Sequence, residues 1–96
     1  MLSKDWTLAF DTSAAHCAAA LLSGDRLVAK TVVPMAKGQA ESLFPIIQDL
    51  LAQNGIDFAN LARIGVGIGP GNFTGIRISV SAARGLALSL GIPAVG

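Results

Sequence analysis

The sequence has little charge, one cysteine, one histidine and no tyrosine. A single cysteine, Cys17, cannot form an internal disulfide, which is compatible with a reducing compartment and predicts a cytoplasmic protein. Charged residues make up 14% of the chain, no cluster of lysine or arginine occurs, and the net charge is +1. Because proteins that hold nucleic acid electrostatically present a basic patch, we do not expect this chain to grip RNA by itself.

Neither a secretion signal nor a membrane span is expected from the sequence. Its N-terminus has no basic segment followed by an apolar one. The longest apolar stretch, residues 76–90, is short and contains Arg77 and Arg84, so no membrane association is expected. Hydrophobic residues nevertheless make up 52% of 96 residues. Since so short a chain has little interior, it is expected to be a fragment or to bury apolar surface against a partner.

Apolar runs bounded by turn residues predict five strands, at residues 6–10, 17–22, 27–33, 61–68 and 94–96. The first three read as an antiparallel meander. Apolar residues at three- and four-residue spacing predict two helices, one ending at Asn54 and one ending near Leu90. Pro45 requires the first helix to begin near Ser42 or to begin earlier and kink. The order β-β-β-α-β-α-β predicts an α/β fold with helices packed on a mixed sheet.

The second predicted helix is apolar around most of its circumference. Its polar residues include a narrow stripe of Arg77, Ser81 and Arg84, which Leu88 extends. Such a helix is either the central core helix of a larger domain or part of a subunit interface. The short chain favours the interface, for which the candidate residues are Leu43, Phe44, Ile47, Leu51, Ile76, Val80, Ala83 and Ala87.

A glycine-rich loop, residues 67–75, joins a predicted strand to this helix. Loops in that position bind phosphate when free N–H groups point at the ligand. Asn72 and Thr74 stand where the dinucleotide fingerprint needs glycine, and no Lys-Ser or Lys-Thr pair forms a Walker loop. Composition therefore favours a structural turn over a phosphate site.

Four segments resemble those of the TsaB (YeaZ) family. Residues 69–77 read GPGNFTGIR, similar to the family's GPGSFTGVR, with Asn72 in place of serine. Residues 9–13 (AFDTS) resemble its AIDTS, residues 39–45 (QAESLFP) resemble its HAERLLP, and residues 85–93 (GLALSLGIP) resemble its GLALALGIP. The nine-residue loop is the most specific of the four.

This resemblance implies an actin/Hsp70-like (ribonuclease H-like) fold and a two-domain protein, of which residues 1–96 are the N-terminal domain. It further implies a non-catalytic scaffold that activates TsaD, with the ATPase TsaE, in placing threonylcarbamoyl on adenosine 37 of tRNA. The expected partners are TsaD and TsaE, or a second copy of the chain when alone, with tRNA contacted only indirectly. ATP and magnesium would act only at the level of the complex, and no cofactor of its own is expected.

The alternative is an actin-like ATP-binding enzyme or a glycoprotease-like peptidase (peptidase M22-related). For nucleotide binding, the candidate residues are Asp11, Thr12, Ser13, Gly69, Gly71, Asn72 and Thr74. A protease triad of Ser13, His16 and Asp11 would need three residues of one turn to face each other, which is improbable. TsaD holds its metal with helix histidines, whereas this chain has Gln39 in the matching region, so neither a metal site nor a catalytic residue is predicted.

Overall fold

The computed structural model describes residues 5–67 and 73–95. The elements follow the predicted order β-β-β-α-β-α-β, with one short 3-10 turn, Phe58–Asn60, before the fourth strand. The strands are β1 (Trp6–Asp11), β2 (His16–Ser23), β3 (Arg26–Pro34), β4 (Leu61–Val66) and β5 (Ala94–Val95). The helices are α1 (Gln39–Gln53) and α2 (Phe73–Leu90).

The five strands form one mixed sheet in the order β3-β2-β1-β4-β5. Strands β1, β2 and β3 are antiparallel neighbours, as the short turns between them require. Strands β4 and β5 run parallel to β1 and to each other, because α1 and α2 carry the chain back across the sheet before each of them. β1 is therefore the central strand, with partners on both edges.

Both helices pack on one face of this sheet. Alternate residues of the strands point to that face, so Leu8 and Phe10 of β1 are buried while Ala9 between them is only half-buried. One continuous core joins the sheet and the helices: Leu8, Phe10, Ala19, Leu21, Leu43, Ile47, Leu50, Leu51, Ile56, Leu61, Ile64, Ala83 and Leu86. In the described ranges, neither helix has the length and hydropathy to cross a membrane.

Helix α1 begins earlier than a start at Ser42 would place it. Gly38 adopts a positive φ of 85° at its N-cap, and the amide of Ser42 already donates to the carbonyl of Gly38 at 3.1 Å. Pro45 therefore lies inside the helix and cannot donate to the carbonyl of Glu41. Glu41 and Pro45 are both exposed, so water is available to that carbonyl.

The second face of the sheet carries small residues. Its centre consists of Ala9, Ala18, Ala20, Gly65 and Gly67, and we call this surface the open sheet face. Within residues 5–67 and 73–95, no helix packs against it.

Helix α2 lies unusually close to the turn between β1 and β2. A Cβ atom added to Gly75 would overlap the carbonyl oxygen of Thr12, and that oxygen belongs to the backbone and cannot swing away. Gly85, ten residues further along the same helix, has no atom within 4 Å of its added Cβ. Packing therefore requires glycine at position 75 and does not require it at position 85.

We expect Gly75→Ala to lower the free energy of unfolding by about 1–3 kcal/mol, because the turn and the helix must separate to admit the methyl group. The matched variant Gly85→Ala is expected to raise it by about 0.5–1 kcal/mol, since alanine is the better helix former in open space. Urea unfolding followed by circular dichroism measures both. Effects of the same sign in the two variants would contradict the close approach.

Candidate functional site

The turn between β1 and β2 begins with a buried threonine, Thr12, whose amide and hydroxyl bond to α2. The amide of Thr12 donates to the hydroxyl oxygen of Ser79 at 2.9 Å, and the hydroxyl of Thr12 donates to the carbonyl of Gly75 at 2.6 Å. The two hydroxyl oxygens lie 2.5 Å apart. Because each hydroxyl carries one proton and that of Thr12 is committed to Gly75, Ser79 donates to Thr12.

Gln39, the first residue of α1, holds the same turn from the other side. Its side-chain amide donates to the carbonyls of Ala14 at 2.6 Å and His16 at 2.8 Å, with a longer contact of 3.3 Å to the carbonyl of Thr12. The side chain is buried. These contacts tie the start of α1 to backbone carbonyls in the turn and at the start of β2. We call Thr12, Gln39, Gly75 and Ser79 the polar junction.

The residues predicted to face a nucleotide divide into three groups. Thr12 and Ser13 are buried, and both polar groups of Thr12 bond to α2. Asp11 and Thr74 are accessible, with Asp11 partly exposed and Thr74 exposed. Gly69, Gly71 and Asn72 lie outside the described residues.

Asp11 organises its own turn. One carboxylate oxygen accepts the amide of Ser13 at 2.8 Å, and the other lies 3.8 Å from Nε2 of His16. In the part of the chain that the structure describes, no hydrogen bond joins Ser13 to His16. A protease triad needs that bond between nucleophile and base, so the geometry does not support peptidase chemistry here.

Cys17 lies in the interior, as its position among alanines predicts. It is fully buried, and its sulfur lies 3.6 Å from the carbonyl of Gln39 and 3.7 Å from the sulfur of Met35. Desolvation by burial raises the pKa of the Cys17 thiol above its ordinary value. A thiol that is buried and harder to ionise is a packing residue and a poor nucleophile.

Four of the predicted interface residues prove to be core residues. Leu43, Ile47, Leu51 and Ala83 are at most 2% exposed and belong to the core shared with the sheet. The chain's own sheet therefore covers them and leaves almost no surface for a partner, although Leu43 also lines the groove between the two helices. The apolar spacing of α1 marks a buried stripe, but it cannot tell the chain's own sheet from a partner as the surface that buries it.

The other four predicted interface residues remain accessible. Phe44 is 42% exposed, while Ile76, Val80 and Ala87 are half-buried. The narrow stripe of α2 that the sequence marks is exposed: Arg77, Ser81, Arg84 and Leu88 are all accessible, and Leu88 is 84% exposed. Helix α2 buries a different stripe, formed by Gly75, Ser79, Ala83 and Leu86.

A shallow groove separates α1 from α2 on the outer side of the helical layer. Three residues of α1 and five of α2 line it: Ala40, Leu43, Phe44, Thr74, Arg77, Ile78, Ser81 and Ala82. Its sides are mainly apolar, and only Arg77 is charged. We call it the helix groove. Sequence reasoning missed Ala40, Ile78 and Ala82, although small residues facing each other on adjacent helices are a sign of a groove.

A second concave surface lies on the open sheet face. Val32 and Lys30 of β3 form one side of it, and Asp11 lies at its end, where glycine at position 67 leaves room for the carboxylate. Val32 is 53% exposed. In residues 5–67 and 73–95 neither concave surface contains three histidine, cysteine, aspartate or glutamate side chains grouped as metal ligands.

Comparison with known proteins agrees with this geometry. The family described as TsaD, tRNA N6-adenosine threonylcarbamoyltransferase, matches residues 29–96. The tRNA threonylcarbamoyladenosine biosynthesis protein TsaB of Escherichia coli is 34% identical over 93% of this chain and 38% of its own length. TsaB of Bacillus subtilis is 40% identical over 90% of this chain and 38% of its own length.

A solved structure of YeaZ from Pseudomonas aeruginosa superposes with a TM-score of 0.87 at 34% identity, covering 96% of this chain and 43% of that one. This likeness confirms the predicted actin-like α/β fold. The chain spans less than half the length of the relatives it matches. The match over residues 29–96, together with these relatives, establishes that the chain belongs to the TsaD family of threonylcarbamoyladenosine proteins, among its TsaB (YeaZ) members.

Proposed function

We propose that this chain serves the biosynthesis of threonylcarbamoyladenosine in tRNA by docking onto a TsaD-type transferase through its helix groove. In this role it is the N-terminal actin-like domain of a TsaB-type scaffold and performs no chemistry itself. TsaE and ATP with magnesium would belong to the complex, tRNA would be bound by the assembly, and a second copy would occupy the groove when the transferase is absent.

The observation that carries this proposal is the apolar groove between two helices that are themselves firmly anchored. Phe44 projects on one wall with 42% of its surface exposed, and Ile78 and Ala82 form the opposite wall. An aromatic side chain beside an apolar concavity is a typical centre of a protein interface. Because the walls are rigid helices, docking would cost little ordering of the chain.

The site chemistry supports a scaffold over an enzyme. The sequence contains one histidine, His16, and the most plausible nucleotide-binding turn has its amide and hydroxyl groups bonded to α2. A phosphate would have to compete with these buried bonds. The rival proposal is an actin-like ATP-binding enzyme. An enzyme is compatible with the 30% identity of this chain to the tRNA N6-adenosine threonylcarbamoyltransferase of Pelobacter propionicus.

We expect Phe44→Glu to weaken association with purified TsaD by about tenfold or more, because a charge would be buried in the centre of an apolar interface. Val32→Glu is the matched control. Val32 is similarly exposed but lies on the open sheet face, so this variant should bind like the original chain. Isothermal titration calorimetry measures both affinities, and circular dichroism checks that both variants are folded.

Equal binding by Phe44→Glu and the original chain would contradict docking through the helix groove. Loss of binding in Val32→Glu alone would move the interface to the open sheet face. Light scattering of the chain without TsaD measures self-association by itself, because any increase in mass there must come from a second copy of the chain.

Calorimetry with ATP and magnesium distinguishes the scaffold from the rival ATP-binding enzyme. We expect no binding in the micromolar range, since the Thr12 amide and hydroxyl are already bonded inside the protein. Micromolar binding that Asp11→Ala abolishes would favour a nucleotide-binding enzyme. Binding that Asp11→Ala leaves unchanged would place the nucleotide elsewhere on the chain and would leave the docking proposal intact.

A further inference from the structure

The polar junction lies directly beneath the helix groove. Gln39 of the junction precedes Ala40 of the groove in α1. In α2, Gly75 follows Thr74 and Ser79 follows Ile78, so junction and groove residues are again neighbours along the chain. Adjacent helix residues point in different directions, and here one set points to the turn while the other lines the groove.

Thr12 contacts both helices through its polar backbone and side-chain atoms. Its amide and hydroxyl bond to Ser79 and Gly75 of α2, while its carbonyl lies 3.3 Å from the side-chain nitrogen of Gln39 in α1. Thr12 and Ser79 have no exposed surface, so water does not compete for these bonds. In such surroundings hydrogen bonds are strong and directional, and losing one is costly.

The contact between Thr12 and α2 leaves no room for the helix to move closer. Gly75 approaches the Thr12 carbonyl so closely that not even a methyl group would fit between them. The position of α2 relative to the turn is therefore determined by backbone contact and by three short polar contacts together. Gln39 determines the position of the first turn of α1 relative to the same turn.

We propose that Thr12 is a positioning residue for the docking surface: with Gln39 and Ser79 it sets the separation of α1 and α2, and so the width of the helix groove. This inference rests on the proposed docking function. The affinity for a partner would then depend on residues that the partner does not contact. A change in the polar junction would alter how well the partner's side chains fit between Phe44 and Ile78.

Thr12→Val tests this inference, because valine replaces the hydroxyl with a methyl group that cannot bond to Gly75 or Ser79 and needs more room than the 2.6 Å and 2.5 Å contacts leave. We expect the affinity for TsaD to fall about fivefold to tenfold, because the groove no longer fits the partner; effects of about this size are typical of residues that act on a binding site without touching the ligand. Thr12→Ser restores the hydroxyl and should return the affinity close to that of the original chain. Ile64→Val is the control for stability alone, since it shortens a fully buried core side chain away from the junction.

A second readout uses the free chain. Amide chemical shifts of Ala40, Ile78 and Ala82 in ¹⁵N-correlated spectra should move in Thr12→Val and not in Ile64→Val, because only the former alters the groove. Weakened binding in Thr12→Val that Thr12→Ser rescues, with Ile64→Val unaffected, would support the inference.

Two outcomes would overturn it. In the first, Thr12→Val has the same affinity and the same groove chemical shifts as the original chain, which refutes positioning while leaving docking intact. In the second, Ile64→Val and Thr12→Val lose similar stability and weaken TsaD binding equally. The polar junction would then affect binding only through the stability of the fold. If the original chain itself fails to bind TsaD, the proposed function fails, and the groove shifts alone decide whether Thr12 sets the helix spacing.

Discussion

The structure depends on the close approach of α2 to the turn after the central strand. This approach is possible because α2 presents Gly75 and Ser79 where most helices present larger side chains. It brings the amide and hydroxyl of Thr12 within reach of helix groups that satisfy them, so a polar turn can be buried without loss. The larger apolar residues of α2, such as Ile78 and Val80, are consequently displaced to the sides of the helix, where they remain half-buried.

With the larger side chains at the sides of the helix, part of the chain's apolar surface stays accessible. A helix that buries a stripe of small residues shelters little of its own apolar surface, so Leu88 is left exposed and Ile78 becomes a wall of the groove. The same reasoning holds for the open sheet face, where Ala9, Ala18 and Ala20 leave a shallow apolar trough. The composition therefore reflects how this fold distributes small and large side chains as well as any partner.

Much of the fold could be predicted from the sequence, because the signals are local. Alternation marked the strands, turn residues such as Gly24 marked their ends, and three- and four-residue spacing marked both helices. The start of α1 was less predictable, since Pro45 is tolerated inside the helix on its exposed side. Periodicity also places Arg77 and Arg84 on one stripe of α2, and the structure exposes both of them.

The site was harder to predict, since its residues meet only through the fold. Ser79 lies sixty-seven positions after Thr12 in the sequence, and no spacing rule connects them. Gln39 replaces the histidine of the family motif and acts as a donor to turn carbonyls, a role that its position alone does not reveal. Ile47 and Ala83 are predicted interface residues that the chain's own sheet covers, because hydrophobic periodicity is the same whether a chain or its partner covers the stripe.

Hydrogen exchange at the Thr12 amide tests the buried link most directly, because this N–H donates to a side chain of α2 and to no strand. If the turn is locked to the helix, this amide should exchange as slowly as those of the central strand, such as Leu8. Exchange as fast as that of the exposed neighbouring turn residue Ala14 would show that α2 does not hold the turn, and the explanation of the groove would fail with it.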